Sequence, residues 1–221
     1  MSLNPNHNPS QTAEAARSQL VHIIDDDDAL RDSLVWLLES TGLKVASYPS
    51  AEAFLEIWTP QLSGCLVLDI RMPGMSGLEL HEKLNAMHST LPVIFITGHG
   101  DVPMAVTALK KGAFDFIEKP FHDQDMLNLI EQCLERDRLE NANRRAGAEA
   151  QRRIEQLTPR EHEVLDLIVA GRLNKQIADE LGISIKTVEV HRARVMEKMQ
   201  ADSLAELVQS VLHARGETAG A

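Results

Sequence analysis

Five times over its first part this chain follows a short apolar, β-rich run with an amphipathic helical stretch. The expected runs are Leu20–Ile24, Leu43–Tyr48, Cys65–Ile70, Val93–Ile96 and Ala113–Ile117. Between and after them, helical periodicity covers about Ala29–Ser40, Ala51–Trp58, Leu78–Met87, Val102–Lys111 and the stretch from Asp123. Strict alternation predicts an α/β fold: a five-stranded, doubly wound parallel sheet, because parallel neighbours need right-handed crossover helices. Cys65–Ile70 is nearly unbroken in its apolar character and suits a central strand buried on both faces. Asp69 stands at its carboxyl end, the edge where open α/β sheets bind ligands. There it can be a ligand, a nucleophile or the cap of its own loop, which Pro73, Gly74 and Gly77 make tight.

Other chemically distinctive groups fall at the same edge. Asp25 and Asp26 follow the first run, Thr97 the fourth and Lys119 the fifth. Carboxylates brought into contact repel by about 4 kcal/mol per pair at 4 Å in an effective dielectric of 20, so the cluster requires a cation. Oxygen-only ligands with room for water and phosphate suit Mg²⁺. The Lys119 ammonium and Thr97 hydroxyl then complement an added anion.

Composition separates this half from the rest. The net charge is −11 over 221 residues. Residues 1–150 hold 12 Lys/Arg against 22 Asp/Glu, whereas residues 151–221 hold 10 against 11, so the acid lies in the first part. No apolar run approaches the ~20 residues of a membrane span, which predicts no membrane partner. Residues 1–19 read as a disordered tail too polar for a signal peptide. Cys65 and Cys133 are the two cysteines, one on a strand and one on a helix, a usage that argues against a disulfide framework or zinc site and fits a reducing cytoplasm.

VHIIDDDD, LDIRMPGMSGLEL, VIFITGHGDVPMAV and GAFDFIEKPF resemble the receiver domains of two-component response regulators, specifically the FixJ-like group, over about Val21–Cys133. The resemblance implies that Asp69 accepts a phosphoryl group from a sensor histidine kinase. It implies that Asp25, Asp26, Asp69 and the Arg71 backbone carbonyl hold Mg²⁺, and that Thr97 and Lys119 bind phosphoryl oxygens. It implies a cis Lys119-Pro120 bond, and a switch in which Phe116 swings inward with Thr97. Otherwise Phe116 is a strand aromatic packed on a helix.

Domain limits follow: tail 1–19, receiver 20–134, helical linker 135–153, and a small all-α unit 154–216. The linker shows no clean heptad, so a stable coiled coil is not expected, and fraying is expected around Asn141–Gly147. In the last unit Thr158, Pro159 and Glu161 form a capping box closed by Gly171. Asn174–Leu181, a turn at Gly182, and a third helix capped by Ser184 and running to Met199 make a helix-turn-helix.

LTPREHEVLDLIVAGRLNKQIADELGISIKTVEVHRARVMEKM resembles the LuxR-type output domain. On the third helix Val188, Arg192 and Val195 share one face, and Lys186, Glu189, Val190 and Ala193 another. In that family the second face enters the major groove of double-stranded DNA. This places Lys186, Glu189 and Val190 near base edges and Thr187, Arg192, Arg194 and Lys198 near phosphates. Glu189 could accept from a cytosine amino group, or simply pair with cations of its own helix.

The expected protein is a cytoplasmic transcriptional regulator, dimerising when phosphorylated and not itself an enzyme. A Mg²⁺-dependent aspartyl phosphohydrolase is the alternative from another class, but it would need a general acid two residues after the nucleophile, where Arg71 stands. A signalling adaptor that binds no DNA is the third.

Overall fold

Residues Gly64–Asp69 form a strand buried at every position, and the sheet is assembled around it. The computed structural model describes residues 19–98 and 102–216. The expected tail, apart from Gln19, and His99, Gly100 and Asp101 lie outside the described residues. The chain divides into two units, Met1–Asn141 and Ala142–Ala221.

The first unit runs β1 (Leu20–Ile24), α1 (Asp28–Ser40), β2 (Val45–Tyr48), α2 (Ala51–Ile57), β3 (Gly64–Asp69), α3 (Gly77–Ala86), β4 (Val93–Thr97), α4 (Val102–Lys110), β5 (Asp115–Glu118) and the start of α5 (Asp123–Ile154). The strands are all parallel, in the order β2-β1-β3-β4-β5. The chain leaves β1 to one side for β2 and returns to the other for β3. The carboxyl ends of β1 and β3 therefore face the topological switch point, where such sheets bind ligands.

Alternation along the strands fills two cores. Leu66 and Leu68 of β3, with Ile24 and Phe95, pack on Phe54, Leu80 and Leu84 of α2 and α3. Cys65 and Val67, with Val21, Ile23, Ile94 and Ile96, pack on Leu34 and Leu38 of α1 and on Met126, Ile130 and Cys133 of α5. A strand with both faces covered can be apolar throughout, which is why β3 reads as it does.

The second unit contains the end of α5, α6 (Pro159–Val169), α7 (Asn174–Leu181), α8 (Ile185–Met199) and α9 (Leu204–Arg215). Its core gathers Val164, Leu165 and Ile168 of α6, Ile177 of α7, Val188 and Val195 of α8, and Leu207 and Val211 of α9. Gly147 of α5 packs so close to α9 that a Cβ there would come within 2.6 Å of the His213 carbonyl oxygen. Helix α9 went unread in the sequence, although its N-cap Ser203 and its left-handed Gly216 stop are both ordinary signals. The expected fraying is not seen: α5 is helical through Asn141–Gly147.

Several polar side chains are buried inside the first unit, one of them a histidine on the first strand. His22 on β1 is fully buried beside Tyr48 and Phe54, its Nδ1 3.2 Å from the Tyr48 hydroxyl and its Nε2 without a partner among the described residues. Burial lowers its pKa from 6.5 to about 4. Between those values the unfolded chain binds the proton and the folded one does not. The stability this provides is present above the unfolded value and is lost as pH falls through the window. His22→Phe should remove about 1.4 kcal/mol of pH dependence per unit between about pH 6.5 and 5. Urea unfolding across that range checks it, and parallel curves for the two proteins would exclude His22 as the source.

Candidate functional site: an acidic crevice and a helix-turn-helix face

The crevice forms where β1, β3, β4 and β5 end together. Lys119, just past β5, reaches across the sheet, its ammonium 2.9 Å from Asp69 Oδ2 and 3.2 Å from Asp25 Oδ2. The other Asp69 oxygen accepts the Arg71 N–H at 3.1 Å, and the other Asp25 oxygen accepts the Asp27 N–H at 2.8 Å. Asp25 is fully buried, Asp69 is 8% exposed and Asp26 is open to solvent. Carboxylate oxygens of these three residues lie within 4.8 Å of one another, an oxygen-only set that could hold a hard cation.

Burial raises the pKa of Asp25, and the Asp69 charge adds to this, while the Asp27 N–H and the Lys119 ammonium oppose it. For Lys119 burial works against the charge, but the two carboxylates outweigh it and its proton is held more tightly than usual. Thr97 completes the edge. It is fully buried, and its hydroxyl finds no hydrogen-bond partner among the described residues. A buried hydroxyl left unsatisfied costs about 1–3 kcal/mol, and Thr97 stands at the end of β4, beside the ends of β3 and β5.

The acidic run is divided in its duties. Asp27 is the N-cap of α1, accepting from the Ala29 and Leu30 N–H groups, and Asp28 pairs with Arg31. The loop after β3 is pinned from several sides. Met75 N–H donates to Glu52 of α2 at 3.0 Å, and Ser76 with Glu79 forms a capping box. A Cβ on Gly77 would lie 2.1 Å from the Asp69 carbonyl oxygen, so only glycine lets α3 start this close to the strand end. The Lys119-Pro120 bond is cis. Phe116 is half-buried and packs on the first core.

In the second unit Gly182 takes a left-handed conformation between α7 and α8, and Ser184 caps α8 by accepting the Thr187 N–H at 3.0 Å. Val188, Val195 and Met199 are buried, whereas Lys186, Glu189, Val190, Ala193 and Arg194 are exposed and Arg192 is half-buried. The Thr187 hydroxyl bonds Ser184 at 2.8 Å. Lys198, grouped with the phosphate contacts on sequence, is already occupied: its ammonium lies 2.7 Å from Glu161 Oε2 and 3.2 Å from the Gln156 carbonyl. Glu161 is 2% exposed and also accepts the Thr158 N–H, and these partners, Lys198 first, hold its carboxyl at about 2. A capping box was legible at Glu161, but the ion pair across 37 residues was not.

With this geometry in hand, the comparisons with known proteins define the class. The response regulator receiver domain family matches residues 21–131 and the luxR family of bacterial regulatory proteins matches residues 155–211. The chain belongs to the response regulators that join a receiver to a LuxR-type DNA-binding domain, and it is a phosphorylation-dependent transcriptional regulator of that kind. It is similar to the transcriptional regulatory protein FixJ of Azorhizobium caulinodans, 52% identical over 87% of this chain and 91% of that protein. It also resembles the response regulator protein TodT of Pseudomonas putida, 41% identical over 94% and 92%. Among solved structures, that of the response regulator StyR superposes with a TM-score of 0.76 at 46% identity, covering 88% of this chain and 98% of that one. Full-length FixJ from B. japonicum superposes at 0.55 with 44% identity, over 90% and 98%.

Lys198→Met would leave the Glu161 carboxylate without its cation and should destabilise the second unit by about 1–3 kcal/mol. Because the folded Glu161 carboxyl is depressed to about 2 from 4.5, the contribution is present above 4.5 and fades as pH falls toward 2. Thermal unfolding at neutral and acid pH measures both, and an unchanged midpoint at neutral pH would show the pair to be energetically idle.

Proposed function

We propose that Asp69 is the phosphoryl acceptor, and that this chain takes its phosphoryl group from the phosphohistidine of a sensor kinase. The observation that carries the reading is the Lys119 ammonium shared between Asp69 and Asp25, beside a buried Thr97 hydroxyl that lacks a partner. In the transfer a P–O bond forms to an Asp69 carboxylate oxygen as the P–N bond breaks, and the imidazole leaves. Asp69 thereby exchanges one negative charge for a dianionic phosphoryl group. Lys119 supplies a fixed positive charge to the new oxygens, and Thr97 donates its hydroxyl to one of them.

Asp25, Asp26 and Asp69 fit Mg²⁺, since the donors are all oxygen and three carboxylates exceed what the Lys119 ammonium balances, and the family resemblance would add the Arg71 carbonyl as a fourth ligand. When bound, the ion offsets charge on the transferring phosphoryl oxygens. Arg71, two residues past Asp69, is no general acid, which disfavours turnover of small phosphate esters and supports a regulator that is not an enzyme.

Phosphorylation can shift an equilibrium only by its differential interaction with the two states, and moving one from 1:99 to 99:1 takes about 5.5 kcal/mol. We assign part of that to dimerisation through α4 and β5, with Thr97 and Phe116 carrying the change to that face. Two linked output units then read paired half-sites on double-stranded DNA. Lys186, Glu189 and Val190, exposed on one side of α8, are placed at base edges, and Thr187, Arg192 and Arg194 near phosphates. Lys198 could add charge there only while keeping its bond to Glu161. No helix among the described residues is long and apolar enough to cross a membrane, and DNA as partner supports a cytoplasmic location.

Asp69→Asn should abolish labelling by acetyl phosphate with Mg²⁺, and full labelling of that variant would remove Asp69 from the role. Phosphorylated protein should sediment as a dimer and bind a selected DNA site more tightly than the unphosphorylated form. Affinity should fall with salt at a log-log slope of about −0.9 per phosphate neutralised, and Arg192→Ala should flatten that slope by about one. Lys186→Ala and Glu189→Ala should instead change preference at single base pairs. Equal mass and affinity in both states would sink the dimerisation model.

A further inference from the structure

Along α5 the side chains that face the sheet recur at helical spacing. Met126, Ile130 and Cys133 are fully buried, and the next position on that stripe is Asp137, 1% exposed. Neutral donors surround its carboxylate. Oδ2 accepts from the Ser63 hydroxyl at 2.6 Å, the Gly64 N–H at 2.9 Å and the Gln19 side-chain amide at 2.8 Å, and Oδ1 accepts from the Asn141 amide at 2.8 Å. Asn141 also reaches the Ser63 hydroxyl at 3.2 Å, and Gln19 donates to the Leu134 carbonyl at 2.8 Å. One carboxylate thus joins the residue before β1, the two residues that open β3, and a helix segment that sequence reading placed in the linker.

A purely stabilising residue here would be apolar and continue the stripe. A buried carboxylate adds little net energy when satisfied and is costly in any arrangement that leaves it unsatisfied, so it selects one position of the helix against the strand. That strand is β3, whose other end, about 17 Å away at the usual rise, carries Asp69. Beyond Asn141 the side chains of Ala142–Ala146 are exposed on every side of the helix. Asp137 and Asn141 are thus bonded to the first unit just before this exposed stretch of α5.

We propose that Asp137 is a positioning residue that locks the base of the linker helix to β3, so that a change at Asp69 reaches the helix leading to the DNA-binding unit instead of being lost at a loose joint. The proposal rests on the phosphorylation-dependent reading above. It requires no contact of Asp137 with the phosphoryl group or with DNA.

The test uses the full chain, unsubstituted and as Asp137→Asn and Ser63→Ala. Asparagine at 137 turns one acceptor oxygen into a donor facing donors, whereas Ser63→Ala removes one of the Asp137 donors and one acceptor of the Asn141 amide, a milder change that should leave the fold standing. Three quantities are read: amide exchange over residues 138–146, the rate of acetyl-phosphate labelling, and the ratio of DNA affinities with and without phosphorylation. For Asp137→Asn, exchange should rise about tenfold, labelling should stay within about twofold, and the affinity ratio should fall at least about fivefold, with Ser63→Ala intermediate. Unchanged exchange in both variants would refute the lock. Loosened exchange with the ratio intact would make Asp137 a structural residue only. If Asp137→Asn fails to fold, Ser63→Ala decides by the same criteria. A ratio of one in the unsubstituted protein would instead overturn the coupling reading, and this proposal with it.

Discussion

A single ammonium held between two carboxylates sets the conditions for the rest of the first unit. Asp25 is buried outright and Asp69 nearly so, and the Lys119 ammonium offsets their mutual repulsion together with the Asp27 and Arg71 N–H groups that donate to them. Lys119 can reach both only because β5 ends at the same edge as β1 and β3, which in turn requires every crossover to return the chain in the same direction. The fold is thus a device for bringing together residues 25, 69, 97 and 119, each separated from the next by a strand-helix crossover or more. Even with Lys119 the crevice is short of positive charge, because Asp26 adds a third carboxylate against one ammonium. That imbalance makes the crevice compatible with a hard cation, as the proposed Mg²⁺ and phosphoryl sites require.

Much of this was legible because the signals were local. An all-apolar β3 with an aspartate at its end, an alternation repeated five times, and caps such as Thr158 with Glu161 or Ser184 before α8 depend on neighbours within a few residues. What stayed hidden depends on partners far away in the chain. Asp137 reads as one more charge on a polar helix until Ser63 and Gly64, 74 and 73 residues earlier, are brought against it. Lys198 reads as a phosphate contact until Glu161 is seen to hold it. The acidic run Asp25–Asp28 is an intermediate case, since its composition announces a site but only the geometry separates Asp25 and Asp26, which face Asp69, from Asp27, which caps a helix. Helix α9 is different, because its cap and stop were local and were overlooked.

The output unit poses a charge problem that bears on how such a protein can work. The exposed face of α8 offers Lys186 and Arg194, with Arg192 half-buried beside them and Glu189 among them, and Lys198 is engaged within its own domain. Each phosphate neutralised contributes through release of about one counterion, so on the α8 contacts proposed above a single unit would bind weakly at physiological salt. The first unit adds repulsion rather than help, since the acidic residues are concentrated there. Pairing two copies, as proposed, would change the balance, because the second unit would bind at the high local concentration set by its tether and the phosphate contacts would double without any new residue. In the dimerisation model proposed above, weak binding by one copy and adequate binding by two would let an event in the first unit decide whether DNA is held. A tether serves that purpose only if it is defined at its base, and in this chain the base is where α5 gives up its apolar contacts and Asp137 begins.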